Sequence, residues 1–158
     1  MMKHNALTIL LVEDEIKLAY TLSRALEKAL GKNTQIKICS TAEAALQMLH
    51  IYPIELLITD WRLPGMSGLD FVTKARQLYP NLPVIFMTAF GTEEVEREVC
   101  QRFDVYINKP FEIPDFIQIV NQVIRVHQTV DPNPQTPQPS DDTHSFQTIL
   151  ILEDSNSL

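Results

Sequence analysis

The sequence predicts an α/β fold, a doubly wound parallel sheet with helices over both of its faces. Two observations carry this. Apolar stretches of strand length alternate along the chain with stretches of helical periodicity, the pattern of successive βαβ units. Four of the apolar runs also end in residues suited to chemistry: 7–12 in Glu13-Asp14, 54–59 in Asp60, 83–87 in Thr88, and 103–107 in Asn108-Lys109-Pro110. In a parallel sheet the carboxyl ends of the strands share one edge, and ligands bind there.

The first strand is Leu7-Thr8-Ile9-Leu10-Leu11-Val12. Ala19, Leu22, Ala25-Leu26 and Ala29-Leu30 then recur at helical spacing, and Gly31 is a natural terminator after the last turn. Residues 34–39 alternate as a half-buried edge strand does. Ser40, followed three residues later by Glu43, reads as a capping box opening a helix through about Leu49. The strand over 54–59 leads into a loop over 60–67 that carries Pro64 and Gly65. A helix over about 68–79 follows and stops before Pro80, and a further strand covers 83–88. The next helix, about 92–101, is the weakest, because Glu93, Glu94, Glu96 and Glu98 leave only Val95, Val99 and Cys100 as apolar contacts. The strand over 103–107 precedes a clear last helix, with Ile113, Phe116-Ile117, Val120 and Val123-Ile124 on one face and Pro114 in its first turn.

Residues 128–146 are a different material. They are rich in proline and polar side chains, as an extended, semi-rigid linker is. Beyond them, Thr148-Ile149-Leu150-Ile151-Leu152-Glu153-Asp154 repeats Thr8-Ile9-Leu10-Leu11-Val12-Glu13-Asp14, and six of eleven positions are identical between 148–158 and 8–18.

Composition narrows the function. A chain of 158 residues suggests one domain able to bury roughly 70% of its unfolded surface. The net charge of −7 disfavours direct, nonspecific binding to nucleic acid. Cys39 and Cys100 show no metal or redox spacing. The first residues lead straight into a strand, and no apolar run approaches membrane-span length, so a cytoplasmic location without membrane attachment is expected.

The predicted sheet edge gathers three carboxylates (Glu13, Asp14, Asp60), the Thr88 hydroxyl and the Lys109 ammonium. Clustered carboxylates raise one another's pKa unless a cation joins them, and oxygen-only ligands favour a hard ion, most simply Mg²⁺. Taken singly, each signal has a plainer reading. Glu13-Asp14 could cap the first helix, Asp60 a loop, and Lys109 could be an exposed lysine before a turn-forming proline. The four together at four strand ends favour a site.

These pieces resemble the receiver domain of two-component response regulators. The resemblance covers about residues 6–127 and rests on four segments: Leu11-Val12-Glu13-Asp14-Glu15; Thr59-Asp60 through Leu69-Asp70; Met87-Thr88-Ala89-Phe90-Gly91; and Tyr106-Ile107-Asn108-Lys109-Pro110-Phe111. It implies a five-stranded sheet of flavodoxin-like order 2-1-3-4-5 with five helices. It implies Asp60 as phosphoacceptor, and Mg²⁺ held by Asp14, Asp60 and the Arg62 backbone carbonyl, with Glu13 acting directly or through water. It further implies Lys109 as the phosphate-binding cation, a cis Lys109-Pro110 bond, and Thr88 with Tyr106 as a switch. Arg102-Phe103 stands where the family often has Gly-Ala, which leaves the end of the weak helix open. The final segment, 147–158, looks like the start of a second such domain.

The function expected from this resemblance is a phosphorylation-switched receiver that takes its phosphoryl group from a sensor histidine kinase or phosphotransfer protein. It would be a signalling domain that catalyses its own phosphotransfer and dephosphorylation rather than an enzyme acting on a separate substrate. None of His4, His50, His127 and His144 falls at the proposed site, so the donor should be a separate protein, and a homodimer is compatible with the same reading. Two alternatives compete. A Mg²⁺-dependent aspartyl-phosphate phosphatase would usually carry a second acid two residues after the nucleophile, where this chain has Arg62. An unphosphorylated receiver-like binding module would typically lose an acid or the lysine, and this chain keeps them all.

Overall fold

A computed structural model of the chain describes residues 6–89 and 105–129. Five strands, β1 (Leu7–Val12), β2 (Thr34–Cys39), β3 (Leu56–Asp60), β4 (Val84–Thr88) and β5 (Val105–Asn108), form one parallel sheet in the order β2-β1-β3-β4-β5. Four helices are described: α1 (Ile16–Leu30), α2 (Ala42–Ile51), α3 (Gly68–Leu78) and α4 (Ile113–Thr129). The fold class and strand order are those expected. The helix predicted over 92–101 and the chain after residue 129 lie outside the described residues. Among those described, no helix is long and apolar enough to cross a membrane.

Side-chain alternation along each strand builds two apolar layers. Leu10, Val12, Leu57, Val84 and Phe86 point to one face, where they meet Ala42, Ala45 and Leu49 of α2 and Phe71, Val72 and Ala75 of α3. Ile9, Leu11, Leu56, Ile58, Ile85, Met87, Val105 and Ile107 point to the other. There they meet Leu22 and Leu26 of α1 and Phe116, Val120 and Val123 of α4. The central strand β1 is sealed on both sides, with Ile9 through Val12 fully buried.

Several boundaries differ from the sequence reading. The cap of α2 is Thr41, not Ser40: Thr41 Oγ1 accepts from the Ala44 amide at 3.2 Å. Glu43 therefore sits one place short of the position a capping box requires. Strand β3 begins at Leu56 and includes Asp60, so the acid is the last residue of the strand rather than the first of the loop. Helix α4 continues to Thr129, two residues into the stretch expected as linker.

Candidate functional site

Parallel register decides which side chains can meet. Val12 pairs with Thr59, Asp60 with Met87, and Thr88 with Asn108, so β1, β3, β4 and β5 end at one level. Glu13-Asp14, Asp60, Thr88 and Lys109 stand at those ends. Short backbone bonds hold them there: the Trp61 amide donates to Met87 O at 2.7 Å, and the Lys109 amide donates to Thr88 O at 2.6 Å. The Lys109-Pro110 bond is cis, as expected.

The loop from Asp60 into α3 is shaped by two glycines. Gly65 has φ 78°, a left-handed conformation that suits glycine. Gly68 opens α3 pressed against β3; a Cβ there would lie 2.5 Å from Asp60 O and 2.8 Å from Trp61 O. Its amide donates to Trp61 O at 2.8 Å, and Ser67 Oγ caps the helix by accepting from the Asp70 amide at 3.1 Å. The requirement for glycine at 68 escaped the sequence reading; the Ser67-Gly68 step closing a glycine-bearing loop was its one signal.

The structure brings the predicted charges together. Lys109 Nζ donates to Glu13 Oε2 at 2.7 Å and to Asp60 Oδ2 at 3.0 Å. One carboxylate oxygen from each of Glu13, Asp14 and Asp60 lies within 4.8 Å of the others. The Glu13 side chain is 1% exposed, that of Asp60 13% and that of Lys109 18%. Asp14 is exposed, so the cluster is buried at Glu13 and open to solvent at Asp14. Glu13 Oε1 accepts from the Glu15 amide at 3.1 Å, and Asp60 Oδ1 accepts from the Arg62 amide at 3.2 Å.

Burial pushes the Glu13 carboxyl above its usual range, and the nearby Asp60 charge adds to this, against the hydrogen bonds from Lys109 and Glu15. Burial would lower Lys109, but its bonds to Glu13 and Asp60 outweigh that and hold the ammonium above its ordinary value. Lys109 therefore stays cationic across the physiological range.

Three carboxylates face one ammonium, a formal excess of two negative charges on hard oxygen donors. That donor set fits a divalent ion such as Mg²⁺. Lys109 engages one oxygen of Glu13 and one of Asp60, so an ion would be held by the exposed Asp14 together with carboxylate oxygens that already have a partner.

Thr88 is buried at the end of β4. Tyr106 is half-buried on β5, opposite Phe86 in register, and packs on the layer that α2 and α3 cover. Trp61 stacks edge-on against Phe86 at 5.1 Å between ring centroids, which fixes the residue after Asp60. Of the histidines, His50 is exposed at the end of α2 and His127 is near the end of α4, while His4 and His144 lie outside the described residues.

Comparison with known proteins agrees with this geometry. Residues 9–121 match the family profile described as the response regulator receiver domain. The chain is 37% identical over 116 residues to the response regulator protein FleR of Pseudomonas aeruginosa, covering 73% of this chain and 24% of FleR. It is 32% identical over 123 residues to the DNA-binding transcriptional regulator NtrC of Klebsiella pneumoniae, covering 75% of this chain and 25% of NtrC. It thus spans about a quarter of the length of these relatives. Among solved structures, the non-phosphorylated HemR receiver domain of Leptospira biflexa superposes with a TM-score of 0.69 at 25% identity, covering 84% of this chain and 98% of that one.

Proposed function

The chain belongs to the family of response regulator receiver domains, the phosphorylated signalling modules of two-component systems, and on that premise we propose that Asp60 is its phosphoacceptor. The observation that carries this is the Glu13–Lys109–Asp60 arrangement, a carboxylate at a strand end held by the lysine that follows a strand two places away.

A carboxylate oxygen of Asp60 attacks phosphorus in line with the bond to the donor. The new P–O bond forms as the donor bond breaks, and the leaving nitrogen of a phosphohistidine takes up a proton. Lys109 offers its ammonium to a phosphoryl oxygen on the far side of Asp60. It has a second bond, to Glu13, that holds it in place. Asp14 and Asp60, with the Arg62 carbonyl, would hold Mg²⁺. When bound, the ion neutralises charge that develops on the phosphoryl oxygens. Glu13, being buried and committed to Lys109, serves chiefly to position that lysine.

Thr88 and Tyr106 form the proposed switch. The Thr88 hydroxyl would donate to a phosphoryl oxygen, and the half-buried Tyr106 would move into the space vacated, which couples a local charge change to a two-state element. The donor is proposed to be a cytoplasmic histidine kinase or phosphotransfer protein.

The test is intact-mass measurement after incubation with acetyl phosphate and Mg²⁺. The wild-type chain should gain one phosphoryl group, and Asp60→Asn none. Thr88→Ala should keep the gain while losing the shift of the Tyr106 ring resonances that beryllofluoride induces in the wild type. A full gain in Asp60→Asn would refute the assignment.

A further inference from the structure

We infer that Phe86 is a positioning residue of the switch. Its ring joins Trp61, beside the phosphoacceptor, to Tyr106, so that the two are linked through a row of aromatic rings as well as through Thr88. The inference rests on the proposed roles of Asp60 and Tyr106 and adds a residue to them.

The row follows from register. Thr59 pairs with Phe86 and Phe86 with Tyr106, so the three stand side by side on β3, β4 and β5. Alternation sends Phe86 and Tyr106 to the layer covered by α2 and α3, and Trp61, two residues after Thr59, packs on the same layer. There the Trp61 and Phe86 rings meet edge to face, with centroids 5.1 Å apart and planes at 72°. Thr88 follows Phe86 by two residues at the end of the same strand. On the opposite face the matching positions are aliphatic, with Ile58, Ile85 and Val105 in one line and Met87 beside Ile107.

Phe86 is suited to carry a displacement from one side to the other. It is fully buried, while its neighbours in the row are half-buried. A ring packed on all sides at the density of a protein interior transmits a neighbour's shift instead of absorbing it. Aromatic pairs prefer the edge-to-face geometry, so a tilt of Phe86 is felt by Trp61. Trp61 is tied to β4 a second time, because its amide donates to Met87 O at 2.7 Å, one residue beyond Phe86. It also lines an open groove with Met66, Asp70 and Lys74, which leaves it room to respond.

Separation makes the inference testable. Strand β4 lies between β3 and β5. Neighbouring strands are roughly 4.8 Å apart, so Trp61 and Tyr106 stand roughly 10 Å from each other. The effects of substitutions that far apart add unless the two sites share a partner. Phe86 is that partner, so coupling between the outer rings should exist and should depend on it.

The experiment is a cycle of substitutions in the full chain, read by the fluorescence of Trp61, its single tryptophan. Tyr106→Leu should shift the Trp61 emission maximum in the wild-type background, and that shift should be lost in Phe86→Leu. Phe71→Leu is the control, since Phe71 is equally buried in the same layer but stands on α3, outside the row. There the shift should persist. Phe86→Met, whose flexible side chain fills irregular space, repeats the cycle if Phe86→Leu does not fold. No shift in Tyr106→Leu, a shift that survives removal of the ring at position 86, or its loss in Phe71→Leu as well would each overturn the inference. Beryllofluoride with Mg²⁺ separates it from the reading beneath it. The Tyr106 ring resonances should respond in the wild type and respond less in Phe86→Leu. A full response in Phe86→Leu would overturn the role of Phe86 alone. A wild type with no response would overturn the Tyr106 switch, and the row's part in it, even with the rings coupled.

Discussion

At the amino ends of the strands polar side chains reach backbone carbonyls, while at the carboxyl ends they reach one another. Near the amino end, the Tyr79 hydroxyl donates to Leu49 O at 2.9 Å and Arg76 Nη2 donates to Leu82 O at 3.1 Å. Each bond ties the last turn of one helix to a neighbouring segment. At the carboxyl end, Lys109 binds Glu13 and Asp60, and three carboxylates crowd within 4.8 Å. The first edge satisfies its polar groups in place. The second holds an excess of like charge that a cation and a phosphoryl group would relieve. The same sheet thus supports fixed bonds at one end and a poised site at the other, and substitutions should separate the two.

The largest effect is expected from Lys109→Met. Loss of a pre-placed charge at a developing anion typically costs about 10²–10³ in rate, and acetyl-phosphate labelling of Asp60 should slow by that order. The change also strands Glu13, which is almost wholly buried. In the unfolded chain Glu13 ionises near its ordinary 4.5. A folded pKa raised above that makes stability fully present below the unfolded value and lost as pH rises. The variant should therefore lose more stability than the wild type between about pH 4.5 and 7, by about 2 kcal/mol for a charged hydrogen bond removed. Urea unfolding across that range measures it. A variant whose deficit stays constant with pH would show that Glu13 is not held by Lys109.

Gly68→Ala should blur the distinction between the edges, because it disturbs packing and site together. The added Cβ meets backbone oxygens of Asp60 and Trp61, neither of which can rotate away. Overpacking of this kind costs about 1–3 kcal/mol, and labelling of Asp60 should fall as its strand end shifts from Lys109. Unchanged labelling in a destabilised variant would mean the loop can yield without moving the acid. Tyr79→Phe should do the opposite and affect one edge alone. Removal of one neutral hydrogen bond costs about 1 kcal/mol, seen as a lower urea midpoint, with the labelling rate unaltered.

The sequence disclosed the carboxyl edge better than the amino edge, for a physical reason. Apolar runs mark strands, and in a parallel sheet the residue after each run must lie on the shared edge, so Glu13, Asp14, Asp60, Thr88 and Lys109 could be placed without coordinates. The bond between Glu13 and Lys109 could not, because 96 positions separate them and nothing local selects Glu13 over Asp14 as the buried partner. Tyr79 and Arg76 were invisible as ties, since a backbone carbonyl leaves no trace in the residue that supplies it. The misplaced cap of α2 has a local cause: Ser40 and Thr41 both offer a hydroxyl, and Glu43 favoured the wrong one. Gly68 was legible only as a glycine, because its close neighbour is the backbone of Asp60.

The smallest effect belongs to His127, near the amino edge. Burial lowers its pKa below the ordinary 6.5, and the positive charge of Arg76 lowers it further. The unfolded chain therefore takes up a proton at a higher pH than the folded domain does. For a depressed folded pKa, stability is present above the unfolded value and lost as pH falls through the folded one. The wild type should thus lose stability on acidification below about pH 6.5 in part through this residue. His127→Gln removes that component while leaving the carboxylates as they were, so the difference in Tm between wild type and variant should shift in the variant's favour from pH 7.5 to pH 5.5. Arg76→Gln, which removes the second cause but not the first, should raise the His127 pKa in an NMR titration of its ring protons. Neither change touches the carboxyl edge, and acetyl-phosphate labelling at pH 7.5 should match the wild type in both. A Tm difference that does not move with pH would show that His127 titrates alike in the folded and unfolded chain, and the amino edge would then carry no pH dependence of its own through this residue.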